Sequence, residues 1–135
     1  MQKGPLSAAL TLGASAVQIG TALLRTPEAK THKAWAEALV NLEPDATMPT
    51  RSMSGRLGRA VTTTFVRAAA APDAPPPAPY PVQRGLTQAM KDAGARENDP
   101  QRMQLWAGQA AAMAAAEPAG EFVQRLWAGA SAMLP

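Results

Sequence analysis

The chain opens with a change of period. SAALTL carries the apolar spacing of a short helix, with Pro5 suited to its first position and Gly13 to its C-terminal stop. SAVQI then reads as a short, largely apolar run of the kind found in buried parallel strands, and Gly20-Thr21 lead into a second helical stretch, TALLR. The pattern is helix, tight turn, strand, Gly-rich turn, helix, which is a piece of α/β architecture. Thr26-Pro27-Glu28 next forms a helix start, and Trp35, Leu39 and Leu42 fall on one stripe of a helix predicted from Pro27 to about Asn41. Residues 46–53 are expected to be extended, although Pro49 argues against a central strand. A further helix is predicted over 55–71, with Leu57, Val61 and Phe65 on one face and Arg56, Arg59 and Arg67 left for solvent or ligand.

PDAPPPAPYP, residues 72–81, holds six prolines and imposes an extended connector. Helices are predicted beyond it over about 82–95, 100–117 and 119–133. In the last of these, Phe122, Val123, Leu126, Trp127 and Ala130 make an apolar stripe that something must cover. The chain thus divides into 1–71, a connector 72–81 and a helical segment 82–135.

Composition qualifies this picture. Alanine supplies 31 of the 135 residues, and Leu, Ile, Val and Phe together only 21, so much of the apolar content is single methyl groups that contribute little burial. The formal charge of +3 is too small, and the alanine runs too helix-prone, for a disordered chain. Basic residues gather in the first half but form no dense run, and few aromatics are present to stack bases, which argues against nucleic acid. The absence of cysteine excludes disulfides and a thiol nucleophile, and one histidine speaks against a His-based zinc site. Met1 to Ala16 resembles a secretory signal in outline, but the apolar character continues past the supposed cleavage point. No run reaches the roughly 18 apolar residues of a membrane span, so a cytoplasmic protein is expected.

The chemistry is concentrated in GASAVQIGTALL, residues 13–24. Where a strand ends in glycine and a helix follows, the turn's N–H groups can receive an anion, because no Cβ stands in the way. On mechanism alone, a Gly-Thr between strand and helix is more often merely a tight turn. AALTLGASAVQIGTALL resembles the last-strand segment of the nitronate monooxygenase (2-nitropropane dioxygenase) family. RTPEAKTHKAW, TRSMSGRLGR, PYPVQ and LWAGQAA resemble further segments of that family, in the family's order.

The resemblance implies a fold and a cofactor. The chain would be the C-terminal part of an FMN-binding TIM (β/α)8 barrel plus the family's helical C-terminal segment, itself mostly helical with one or two short strands. Gln18, Ile19, Gly20 and Thr21 would hold the FMN phosphate, Gln109 would also bind cofactor, and Tyr80 would line the substrate pocket. Tyr80 is equally readable as a ring packing the Pro-rich loop, Gln109 as a surface amide, and Ser54-Gly55-Arg56 as a helix cap. The implied reaction is oxidation of a small nitronate by O2 to a carbonyl compound and nitrite. No catalytic residue is assigned here: the family's base histidine lies earlier in the barrel, and His32 does not correspond to it. A complete barrel, on the scale of about 250 residues, would need roughly 200 more residues upstream. The fragment by itself is expected to be inactive. Two other readings stay open, a small non-catalytic helical interaction module and a phosphate-binding barrel piece with another substrate.

Overall fold

In the computed structural model, which describes residues 3–40, 42–43 and 45–134, helix α1 runs from Lys3 to Thr11. It stops as the sequence predicts. Gly13 takes a φ of +96°, Gly13 N–H donates to the Leu10 carbonyl at 3.0 Å, and Ala14 N–H donates to that of Ala9 at 3.0 Å. This closing pattern requires a left-handed residue, which glycine adopts without strain.

The chain packs as two compact units, residues 1–31 with 113–135, and residues 32–112. In the first unit, α1 lies against α6, Ala119–Ser131. Leu6 of α1 and Phe122, Leu126 and Ala130 of α6 are buried together, with Leu10, Ile19, Ala22 and Leu23 packed at the margin. The predicted stripe is therefore covered on one side only, since Val123 and Trp127 remain 53% and 55% exposed. Arg25 Nη1 donates to the Ala114 carbonyl at 2.7 Å, and the Glu28 carboxylate accepts from Ala119 N–H at 3.0 Å, at the start of α6.

Three sequence expectations for the stretch from residue 15 to residue 41 are corrected. SAVQI forms no strand, because a lone segment has no ladder partner among the described residues. TALLR contributes only a single 3₁₀ turn, Thr21–Leu23, followed by another at Pro27–Ala29. Lys30, with φ of 49°, then breaks the chain direction, so the helix predicted from Pro27 is shorter and starts later. It is α2, Lys33–Ala38, capped by His32, whose Nδ1 accepts from Ala34 N–H at 3.3 Å. Asn41, where the pattern ended that helix, lies outside the described residues.

The second unit centres on an antiparallel pair, β1 (Thr47–Thr50) and β2 (Gly58–Val61), with Thr47 opposite Val61 and Thr50 opposite Gly58. Pro49 is accommodated because β1 is an edge strand. The other edge of β2 is lined by Leu105–Ala107: Val61 N–H donates to the Leu105 carbonyl at 2.9 Å and Ala107 N–H to that of Arg59 at 3.0 Å. Two long predicted helices give way to this arrangement. The helix over 55–71 is reduced to α3, Thr64–Ala68, because Gly55 has φ of +86° and Gly58–Val61 pair as β2, with the β-branched Val61-Thr62-Thr63 disfavouring helix before the cap. Thr63 caps α3 by accepting from Val66 N–H. The helix over 100–117 is replaced by 3₁₀ turns at Pro100–Arg102 and Ala111–Met113 around the extended Leu105–Ala107.

Beneath the strands, Ala34, Met103 and Leu105 are buried with Trp35, Ala38 and Val61 beside them. The Pro-rich stretch is neither helix nor strand and lies inside this unit. The helix predicted over 82–95 splits into α4, Val82–Leu86, and α5, Gln88–Glu97. At the break, Thr87 Oγ1 donates to the Met53 carbonyl at 2.8 Å, tying the helix pair to the loop after β1. Asn98 ends α5 in the left-handed conformation, with Asp99 N–H donating to the Gly94 carbonyl at 2.8 Å.

Candidate functional site

The residues singled out for the phosphate, Gln18, Ile19, Gly20 and Thr21, occupy the segment between α1 and the first 3₁₀ turn. Gln18 and Gly20 are exposed, Ile19 and Thr21 half-buried. Among the described residues, the main-chain N–H groups of Gln18, Ile19 and Gly20 have no hydrogen-bond partner. A Cβ placed on Gly20 would meet no atom within 4 Å, so the approach to these donors is open. No carboxylate occurs in residues 13–24 to repel an anion. Bare amides, an open glycine and the absence of negative charge suit a phosphate group, so the segment fits one.

An apolar groove of about 450 Å3 runs beside the same segment. Val17 and Ile19 line one wall, Leu6 and Leu10 of α1 another, and Phe122 and Trp127 of α6 a third. Trp127, 55% exposed, thus forms the rim of the groove.

Tyr80 and Gln109 belong to the second unit. Tyr80 is 43% exposed in the Pro-rich loop, and the Arg56 guanidinium lies over its ring, 4.2 Å from the centroid. A charge seated on the ring's negative face is an attraction of about 0.5–1 kcal/mol at an exposed site. Gly55 makes the approach possible: a Cβ there would fall 2.5 Å from Tyr80 N and 2.6 Å from the Ala78 carbonyl oxygen. Ser54-Gly55-Arg56 is therefore a turn beneath the tyrosine loop, and the helix-cap reading is corrected. Ser54 Oγ accepts from Arg56 N–H within that turn at 3.3 Å. The amide of Gln83 fixes the loop from its other side, donating to the Ser52 carbonyl at 2.6 Å and accepting from Ala78 N–H at 2.9 Å. Sequence patterning missed both contacts. The signals present were Gly55 before an arginine and a glutamine two residues after the last proline of the Pro-rich stretch.

Gln109 is exposed in the turn after Leu105–Ala107 and not on a helix. Arg59 and Arg51 are held by the fold: Arg59 Nη1 donates to the Thr47 carbonyl at 2.8 Å, and Arg51 Nη1 to that of Gly55 at 3.2 Å, while Arg67 is exposed. Lys91 is buried, and its ammonium donates to the Arg84 carbonyl and Gln104 Oε1, both at 3.3 Å. Burial first, and the nearby Arg84 charge second, hold its pKa below the ordinary lysine value. His32 is engaged as a helix cap. Among the described residues, no three of His, Cys, Asp and Glu gather where they could hold a metal, and no helix is long and apolar enough to cross a membrane.

The chain resembles known proteins over almost its whole length. The family profile described as nitronate monooxygenase matches residues 1–129. A nitronate monooxygenase of Pseudomonas aeruginosa is 40% identical over 121 residues, which are 90% of this chain and 34% of that protein. One from Paraburkholderia phytofirmans is 36% identical over 126 residues, 93% of this chain and 34% of its own length. Among solved structures, a nitroalkane oxidase from Streptomyces ansochromogenes superposes with a TM-score of 0.87 at 38% identity, covering 98% of this chain and 37% of that one. FabK from Thermotoga maritima shares the fold with a TM-score of 0.74 at 23% identity, over 98% of this chain and 42% of its own. The chain therefore spans about a third of the length of the curated relatives it matches.

Proposed function

Since the chain belongs to the nitronate monooxygenase family, we propose that it is the C-terminal part of an FMN-dependent (β/α)8 barrel that oxidises small alkyl nitronates with O2 to a carbonyl compound and nitrite. The observation that carries this reading is the family match spanning residues 1–129.

Bound FMN would supply the two-electron redox chemistry of such a reaction. The residues of this chain hold and orient. Gln18, Ile19, Gly20 and Thr21 receive the phosphate through main-chain donors, a role supported by three unpartnered amides and the open Gly20. Preformed donors of this kind bind an anion without reorganising. Gln109 contributes a further amide to the cofactor from its exposed turn. Tyr80 lines the substrate pocket, and Arg56 seated over its ring limits the orientations the phenol can take.

No residue of this chain is assigned as the base. His32, the one imidazole, has its Nδ1 engaged at the start of α2. The 135-residue chain is accordingly expected to show no turnover alone. The test is a chimera in which this chain replaces the matching third of the Pseudomonas aeruginosa relative. Flavin absorbance in the purified chimera, with O2 uptake and nitrite release on an alkyl nitronate, is the expected outcome. A folded chimera without flavin or nitrite, or turnover by the 135-residue chain alone, would contradict the proposal.

A further inference from the structure

We infer that Arg56 is a specificity-determining residue: seated on the Tyr80 ring, its guanidinium reads the negative charge of a nitronate and so separates it from the uncharged nitroalkane of the same carbon skeleton. This rests on Tyr80 lining the substrate pocket, as proposed above, and gives Arg56 a part beyond orienting the phenol.

The relatives themselves pose the choice. The matching family is named for nitronates, whereas the Streptomyces neighbour is a nitroalkane oxidase. The two kinds of substrate differ by one proton. A nitroalkane is neutral, and its conjugate base carries a full negative charge shared by two oxygens of a planar group. A side chain that tells them apart must therefore respond to charge. A guanidinium does so in a fitting geometry, because its forked N–H groups match the two oxygens of a planar anion, and bonds to an ionised acceptor are roughly twice as strong as those to a neutral one.

Three observations single out Arg56. The first is that its donors are open. The guanidinium lies 4.2 Å from the Tyr80 centroid and donates to no oxygen among the described residues. Arg51 and Arg59, by contrast, commit Nη1 to the carbonyls of Gly55 and Thr47. The second is the way it is held. Both side chains of the stacked pair are exposed, and the ring's negative face fixes the cation without neutralising it, as a carboxylate partner would. The third is the sign of the surroundings. Residues 46–90 contain Arg51, Arg56, Arg59, Arg67 and Arg84 against a single carboxylate, Asp73, an excess larger than the +3 of the whole chain. None of the five arginines joins an ion pair among the described residues. A surface of one sign raises the local concentration of an oppositely charged ligand, and Arg51, bound to the Gly55 carbonyl, adds its charge at the same turn.

The test uses the conjugate pair 2-nitropropane and propane-2-nitronate. In the chimera with the Pseudomonas aeruginosa relative, Arg56→Gln is expected to raise KM for the nitronate by about tenfold, the effect of one charge-assisted hydrogen bond, with kcat nearly unchanged. The KM or inhibition constant for the nitroalkane should not move. Arg56→Lys, which keeps the charge and loses the fork, should recover part of the preference. Arg67→Gln removes another exposed cation and should leave the preference at the parent's value. A rise for both compounds alike, the signature of a merely structural role, would overturn the inference. So would an Arg67→Gln effect as large as that of Arg56→Gln, which would make the discrimination a property of the general field. A second measurement needs neither flavin nor turnover. In the 135-residue chain, the Arg56 Nε–H resonance, assigned by its loss in R56Q, should shift saturably with the nitronate and not with the nitroalkane. Equal shifts from both, or none from either, would overturn the inference. An inactive chimera would contradict the proposed oxidation, while the titration still decides what Arg56 reads.

Discussion

Replacing Gly55 by alanine probes how the tyrosine loop is held. Two costs add. Gly55 has φ of +86°, where a residue bearing a Cβ is strained by about 1–2 kcal/mol. The new methyl would also fall 2.5 Å from Tyr80 N, 2.6 Å from the Ala78 oxygen and 2.8 Å from Pro79 C, all main-chain atoms that cannot swing aside as a side chain does. Overpacking of this kind costs about 1–3 kcal/mol, giving a total of about 2–5 kcal/mol. Against a total stability of about 5–15 kcal/mol, that is a large loss. Gly85 provides the contrast: it lies within α4, and a Cβ there would meet nothing within 4 Å. Gly85→Ala is expected to be neutral or to stabilise by up to about 1 kcal/mol. Urea unfolding in a Trp127→Phe background reads both, since Trp35 and Trp106 then report only the second unit. A 2 kcal/mol loss moves the midpoint by about 1 M. A Gly55→Ala midpoint equal to the parent's, or a shift no larger than that of Gly85→Ala, would refute the reasoning.

In the first unit, Phe122→Ala removes a ring that is 2% exposed between α1 and α6, with an expected loss of about 3–5 kcal/mol in calorimetric or urea unfolding. Thr87→Val leaves the Met53 carbonyl without its donor and should cost about 1–3 kcal/mol, whereas Thr87→Ser, which keeps the hydroxyl, should lose less in the same titration. Lys91 makes stability depend on alkaline pH. Its folded pKa is lowered by burial, so as pH rises through that value towards the ordinary 10.5 the unfolded chain retains a proton the folded chain has shed. Stability attributable to this group therefore rises across that window, and Lys91→Met should flatten the rise in urea titrations run at stepped pH.

What the sequence made legible was mostly local. The stop of α1 at Gly13 and the stripe Phe122, Leu126 and Ala130 follow from a glycine able to turn left-handed and from a period of 3.6 residues. The Pro-rich break was equally readable, because proline rings fix their own backbone. Failures lay where a distant partner decides the conformation. Val61 and Leu105 both sit in runs with helical spacing, yet they pair through Val61 N–H and the Leu105 carbonyl, and neither run announces the other. SAVQI failed in the opposite sense, as a strand-like run with no ladder partner among the described residues. For the candidate site, the openness of Gly20 could be anticipated from the missing side chain. The seat of Arg56 on Tyr80 could not, because 24 residues separate them and only the turn at Gly55 brings them together.

The phosphate role proposed for the turn can be isolated with Gly20→Val in the chimera described above. Within this chain residue 20 has a φ of −113° and no atom within 4 Å of its Cβ position, so the parallel riboflavin titration separates a loss at the phosphate from a loss of the fold. Binding is measured by flavin fluorescence quenching with FMN and, in parallel, with riboflavin, which lacks the phosphate. The account predicts that G20V raises the Kd for FMN by about tenfold or more, the value of one or two charge-assisted hydrogen bonds, and leaves that for riboflavin unchanged. Equal Kd values for FMN in the variant and its parent, or the same weakening for both flavins, would contradict it.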